Sequence, residues 1–245
     1  MRIPVDLHIH SCLSPCADDD CTPGNLVAMA ALKGLRAIAV TDHQACGNLP
    51  AVAARARAAG IVAVPGMELE TAEEIHLVCL LPTLEAAFAL ERDVRAGMPD
   101  LPNRPGIFGR QLLVDADDEP AGEEPRLLHA AAAMTIEAAF ARVDALGGVV
   151  LPAHVDRPAN GLLSVLGAVP EHLPVGWVQV TADCDVDALR RAHPSLAGRP
   201  VLRASDAHRL GEILEPCEML EVAGDDPEKM DICTVLRALR LEKGR

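Results

Sequence analysis

Short apolar runs of Val, Ile, Leu and Ala recur along the chain, each closed by a turn or a polar residue: 3–7, 36–41, 61–65, 75–81, 149–153, 177–181, 201–204 and 219–222. Runs of this length and composition predict buried strands. Between many of them the spacing becomes helical, with recognisable ends. Thr22-Pro23 supplies an N-cap and a first-turn proline, the stretch through Lys33 is rich in Ala, Leu and Met, and Gly34 stands where a helix-ending glycine belongs. Residues 50–59 end the same way at Gly60, and 135–146 at Gly147-Gly148. Asp226-Pro227 opens a further predicted helix with Met230, Cys233, Leu236 and Leu239 on one face. This βα alternation predicts a mainly parallel sheet, closed or open.

Residues 99–125 break the rhythm. They hold Pro99, Pro102, Pro105, Pro120 and Pro125, and the run 115–124 carries six carboxylates and no cation. The segment reads as an acidic, Pro-rich surface insertion, either a solvated loop without a chemical part or a lid. No internal repeat is visible.

The 245 residues are half apolar, which predicts one domain spanning 1–245 with that insertion inside it. No apolar stretch approaches a membrane span, and the first charges come too early for a secretion signal, so a cytoplasmic protein without membrane contact is expected. With 36 acidic and 22 basic residues the net charge is −14, which makes nucleic acid an unlikely partner. One Trp, three Phe and no Tyr leave few platforms for stacking bases. The eight cysteines lack paired spacing and read as reduced thiols, mostly in the core. No phosphate-cradling glycine loop, dinucleotide fingerprint or nucleophile elbow is present.

What the chain does carry is a dispersed set of histidines and acids beside strand ends. In Asp6-Leu7-His8-Ile9-His10, residues two apart in an extended segment share a side, so His8 and His10 can offer both imidazoles to one cation, with Asp6 projecting the same way to orient a ligand. Thr41-Asp42-His43 follows the second run, Gly66-Met67-Glu68 the third, and His76 opens the fourth. The short separation of Glu68 and His76 is too small for a parallel crossover and predicts a hairpin-like return that sets them side by side. His154 follows 149–153, and Ser205-Asp206-Ala207-His208 follows 201–204. Each cluster alone has an ordinary explanation; together they predict a metal site at the carboxyl ends of strands, where barrel enzymes assemble their chemistry.

In this order the motifs resemble the polymerase and histidinol phosphatase (PHP) family, in its metal-dependent phosphoesterase branch. The resemblance implies an α/β fold, a distorted TIM-like barrel of about seven βα units, with two or three divalent ions (Zn, Mn or Fe) at one face. It implies that His8, His10, Glu68 and Asp206 hold the first ion, that Glu68 bridges to a second completed by His76 and His154, and that His43 and His208 hold a third. The family usually adds a histidine or aspartate soon after the first motif. Here the stretch reads Ser14-Pro15-Cys16-Ala17-Asp18-Asp19-Asp20, so Cys16 and Asp18 are the candidates for that place. A thiolate there favours zinc and a carboxylate favours manganese or magnesium. The alternative is that Cys16 is a turn residue and Asp19 or Asp20 serves the following helix N-terminus.

Clustered divalent ions lower the pKa of bound water toward neutrality, so a metal-held hydroxide attacking phosphorus, with Asp206 and His208 beside it and Asp6 and Asp42 behind the ligands, is the expected catalyst. Arg157 and Arg209 are candidates to clamp the phosphate. The expected function is hydrolysis of a small phosphorylated substrate. A nuclease-type phosphodiesterase and a non-catalytic metal-binding sensor are the alternatives. His129, His172 and His193 have no partners in the pattern and are expected in ordinary surface or core roles.

Overall fold

The computed structural model describes residues 1–224, 226 and 229–240. Eleven strands are found among them: β1 (Arg2–Ile9), β2 (Ala37–Val40), β3 (Val62–Ala63), β4 (Gly66–Glu70), β5 (His76–Leu80), β6 (Leu112–Val114), β7 (Pro120–Glu123), β8 (Val149–Pro152), β9 (Val178–Val180), β10 (Val201–Arg203) and β11 (Met219–Glu221). The helices are α1 (Pro23–Leu32), α2 (Leu49–Ala59), α3 (Leu84–Ala96), α4 (Pro105–Phe108), α5 (Ile136–Ala145), α6 (Leu162–Leu166), α7 (Val186–Ala192) and α8 (Ile232–Leu239). The α/β class is therefore as expected, and no helix of the described residues is long and apolar enough to cross a membrane.

Local chemistry sets the helix ends. Thr22, Thr83 and Thr135 each accept a hydrogen bond from the backbone N–H three residues on, at α1, α3 and α5. Gly60 ends α2 in the left-handed conformation, φ 68°. The last helix starts later than expected, because Asp231 rather than Asp226 caps it; Pro227 lies outside the described residues. Its Val235, Leu236 and Leu239 are buried, but Cys233 is exposed. Of the eight free cysteines only Cys12, Cys21, Cys46 and Cys79 are buried, so half rather than most are core residues.

The strands form sheets ordered β11-β1-β2-β3, β4-β5-β8, β9-β10 and, in the insertion, β6-β7. Parallel pairing joins β1 to β2, β2 to β3 and β9 to β10. The mainly parallel expectation fails at β11, which runs antiparallel to β1, and at β5, which runs antiparallel to both β4 and β8. At β5 the cause is the short turn between Glu70 and His76, which permits only a hairpin. Between sheets the ladders shrink to a few bonds: Asp206 N–H to His8 O (2.9 Å), His10 N–H to Ala207 O (2.9 Å), Gln44 N–H to Glu68 O (3.0 Å), and Val155 N–H to Gln179 O (2.9 Å). Each junction lies beside a histidine or acid of the predicted site.

Alternation along the strands feeds two apolar layers. Val5, Leu7, Ala39, Val78, Leu80 and Leu151 pack together, with Val235, Leu236 and Leu239 of α8 against them. Ile38, Val40, Leu77, Cys79 and Val150 belong to the other layer, with Leu26, Val52, Leu90 and Val143 of the helices. In β1 the phase changes. Its register against β2 is irregular between Asp6 and Ile9, so Leu7 joins the first layer and Ile9 the second.

The insertion is anchored rather than free. Leu112 N–H donates to Cys12 O (2.8 Å), Val114 N–H to Asn48 Oδ1 (3.1 Å), and Asp118 Oδ1 accepts from Gly24 N–H (2.9 Å) in the first turn of α1. Arg95 forks onto both oxygens of Glu124 at 2.8 and 3.0 Å.

Candidate metal centre

Glu68, on the fully buried part of β4, is the hub. His8 Nε2 and His154 Nε2 each lie 3.3 Å from its Oε1 and His76 Nδ1 lies 3.0 Å from it. His43 Nδ1 and His10 Nε2 stand 3.1 and 3.4 Å from Oε2. Five imidazoles from three strand ends and the start of a fourth strand thus face one carboxylate. The predicted hairpin is what brings His76 there: Glu70 is its register partner and Glu68 its diagonal neighbour.

The donor set fits a cation. Nε2 of His8 and of His10 are 3.2 Å apart, and Asp206 Oδ1 is 3.2 and 3.0 Å from them. A tetrahedral ion with donors at 2.0–2.1 Å has donor–donor edges of about 3.3–3.4 Å, close to these distances. The outer faces of the rings are already committed. Ser14 Oγ donates to Asp42 (2.7 Å) and so accepts from His10 Nδ1–H (2.9 Å), while His8 Nδ1–H donates to Gln179 Oε1 (3.0 Å). Both Nε2 lone pairs then point at each other and at two carboxylates, an arrangement that only positive charge relieves. Glu68 Oε2 and His154 Nδ1 are moreover buried without a hydrogen-bond partner.

The same electrostatics appear in the protonation equilibria. Burial lowers the His10 pKa, but hydrogen bonds to Asp206 and Glu68 overcome it and lift it to about 10. Burial raises the Glu68 carboxyl, but the surrounding imidazoles hold it well below the usual carboxylate range. His43 is pushed well down by burial, and His129 and His208 to about 4, so all three are neutral donors at pH 7.

Supporting residues differ in part from expectation. Asp42 lies behind the site, accepting from Ser11 N–H (2.7 Å), Ser11 Oγ (2.6 Å) and Ser14 Oγ. Asp6 accepts from the backbone N–H of Ser205 (3.2 Å) and Leu214 (3.0 Å), fixing the loop that carries Asp206. Arg157 Nη1 is 2.6 Å from Asp206 Oδ2, at the wall of a pocket of about 330 Å³. Arg209 is not at that wall; it reaches Asp18 (3.4 Å) and Glu212 (3.8 Å). Asp18 is likewise drawn to Arg209, whereas Cys16 lines the pocket, as does His208, which stacks on His10 with centroids 4.3 Å apart.

Three contributors escaped the sequence pattern. His129 is at the pocket with its Nε2 3.2 Å from Cys16 Sγ, contrary to its expected ordinary role, whereas His172 meets the exposed Glu137. Gln179 sits behind His8. Glu70 lines the pocket two residues along the strand from Glu68, its carboxyl raised by burial. His154 and Asp206 adopt left-handed backbone at φ 28° and 51°, the kind of local strain that clusters at functional sites.

A mixed α/β frame thus gathers imidazole and carboxylate donors at one mouth, in groups that could hold metal ions. Residues 6–119, a little under half of the chain, match the PHP domain family, which the order of its motifs also resembles. No curated protein matched the chain. Solved structures do. A lesion-specific endonuclease from Pyrococcus furiosus is similar with a TM-score of 0.64 and 18% identity over 98% of this chain and 56% of its own. The chain thus spans little more than half that endonuclease. An amidohydrolase from Chromobacterium violaceum, solved with sulfate and no metal, gives 0.58 and 19% over 96% of both chains. A protein from Bifidobacterium adolescentis predicted to be a metal-dependent phosphoesterase gives 0.57 and 18% over 83% and 87%.

Proposed function

We propose that this chain hydrolyses a small phosphate ester at a site of two or three divalent ions, zinc, manganese or iron, on a distorted TIM-like barrel. One carboxylate, Glu68, shared among five imidazoles with its Oε2 free of hydrogen bonds, is the observation that carries this reading. His8, His10, Glu68 and Asp206 would hold one ion, Glu68 with His76 and His154 a second, and His43 with His208 a third. Bound there, the ions supply Lewis acidity toward phosphoryl oxygens and a water acidified to near neutrality.

The chain's own residues set the rest. Gln179 and Ser14 fix the His8 and His10 tautomers, keeping each Nε2 toward the pocket. Arg157 holds the outer oxygen of Asp206 and is 44% exposed on its side chain, which leaves guanidinium donors for a phosphate entering the pocket. A pocket of about 330 Å³ lies at the small end of ligand sites, which favours a small ester over a polymer. The eight free thiols fit a reducing compartment, the cytoplasm.

The test is hydrolysis of p-nitrophenyl phosphate and its bis-ester with added manganese or zinc, beside labelled single-stranded and duplex DNA. Turnover of the small esters, abolished in His10→Ala, is expected. Cleavage of DNA alone would replace this reading with the nuclease one. Metal binding without turnover of any substrate would favour a sensor.

A further inference from the structure

Glu70 and Asn160 both line the pocket. Glu70 shares a face of β4 with Glu68, one strand repeat or about 7 Å further along, and is the register partner of His76. It belongs to none of the groups whose ligand atoms converge within 4.8 Å, and its carboxylate meets no Lys, Arg or His nitrogen within 4.0 Å among the described residues. A carboxylate repels a phosphoryl group, so in a pocket for phosphate esters it faces the alcohol half. Asn160 Nδ2 donates to Glu74 O (3.0 Å) and, over 3.5 Å, to Glu70 Oε1. The amide nitrogen is thereby spent, and Asn160 Oδ1 and Glu70 Oε2 are left without a hydrogen bond among the described residues. Two neighbouring acceptors without a donor suit a ligand that brings two donors. Resting on phosphate-ester hydrolysis at this site, we propose that Glu70 and Asn160 set its specificity by accepting hydrogen bonds from two adjacent hydroxyls of the leaving alcohol, so that the substrate is the phosphate of a polyol.

Both acceptors are held in place before any ligand arrives. Glu70 O accepts from Ala132 N–H (3.0 Å) and from Nε2 of the fully buried Gln44 (3.1 Å). Asn160 O accepts from His76 N–H (2.8 Å), and its backbone stands in the left-handed region at φ 56°, which asparagine tolerates better than most residues. Behind it the turn is closed by Gly161, where a Cβ would fall 2.9 Å from Arg157 O. One loop therefore supplies Arg157 to the phosphoryl end of the ester and Asn160 to the alcohol end. With Arg157 and divalent ions making the mouth cationic, a neutral diol suits the acceptor pair better than an ammonium group.

Calorimetric titration of the manganese-loaded chain would compare butylphosphonate with its vicinal dihydroxy analogue, the non-hydrolysable isostere of glycerol phosphate, with circular dichroism as a check of folding. The diol should bind the wild type about tenfold or more tightly than butylphosphonate. Glu70→Ala and Asn160→Ala should each cut that ratio to about threefold or less, and Glu70→Gln, which keeps the shape without the charge, should fall between. A merely structural loss would weaken both phosphonates alike and leave the ratio standing. A ratio that survives Glu70→Ala, or an aminobutyl analogue that binds more tightly than the diol, would overturn the proposal. Equal binding of the two phosphonates by the wild type would overturn it while leaving phosphate-ester hydrolysis intact. A preference for the diol without turnover of glycerol phosphate would support the acceptor pair and remove the hydrolysis, and no binding of either phosphonate would overturn both.

Discussion

Gln179 Oε1 lies 3.0 Å from His8 Nδ1, in a fully buried contact between neighbouring strand ends. The amide holds a proton on Nδ1 and so dedicates Nε2 to a cation. Such partners are typically worth about 10- to 100-fold in metal affinity. Gln179→Leu should weaken manganese or zinc binding by that factor in a chelator competition while leaving the dichroism spectrum unchanged. Unaltered affinity would show that packing alone orients His8.

Arg157 should matter to turnover. Its Nη1 contact to Asp206 Oδ2 and its free donors are charge-assisted, worth about 1.5–3 kcal/mol apiece. Arg157→Ala should therefore lower kcat/KM toward a phosphomonoester by about 10- to 100-fold. Arg157→Lys should recover only part of it, since a point charge cannot fork. Steady-state kinetics on both variants decide the matter, and an Ala variant with wild-type kcat/KM would remove the role.

Metal should stabilise the fold. Ligation of the native cluster but not of the unfolded chain adds about 2.7 kcal/mol at a hundredfold excess over Kd, a rise of roughly 5–10 °C in Tm for a chain of this size. Scanning calorimetry after exhaustive chelation and after re-addition of manganese or zinc reads it directly. Equal melting temperatures would show that the donors do not bind.

The insertion should respond to acid through Glu124. Burial raises its carboxyl, but the Arg95 fork and the Arg126 N–H outweigh that and set it below its ordinary 4.5. With the folded value depressed, the pair's contribution is fully present above pH 4.5 and is lost as pH falls through the folded pKa. Solvent on the exposed side limits it to about 1 kcal/mol. Glu124→Gln should lower stability by that amount at pH 7, with the gap closing below pH 4 in denaturant titrations. A gap that persists in acid would locate the effect elsewhere.

Much of the candidate site was legible because its side chains sit within three residues of strand ends, where local pattern locates them: His8, His10, Asp42, His43, His154 and Asp206. The β4–β5 hairpin was legible from chain length alone. The partners of Asp6 were hidden because Ser205 and Leu214 lie at the far end of the chain. Gln179 and His129 were silent for another reason. Their roles arise sideways, from a neighbouring strand in one case and from Gln111 bonding across the insertion in the other. The insertion's fold was equally hidden, since Arg95 and Asn48, which hold it, lie far back in the chain.

The reversed strand has one further consequence. Because β5 enters at the mouth where its neighbours leave, His76 reaches the common carboxylate only while the count of residues from Glu68 keeps its parity. Adding or removing one residue in that tight bend would roll the imidazole to the opposite side of the sheet, whereas the long crossovers elsewhere absorb such changes without moving a single donor. Evolution of this scaffold is thus free in its wide loops and arithmetically constrained in its narrowest.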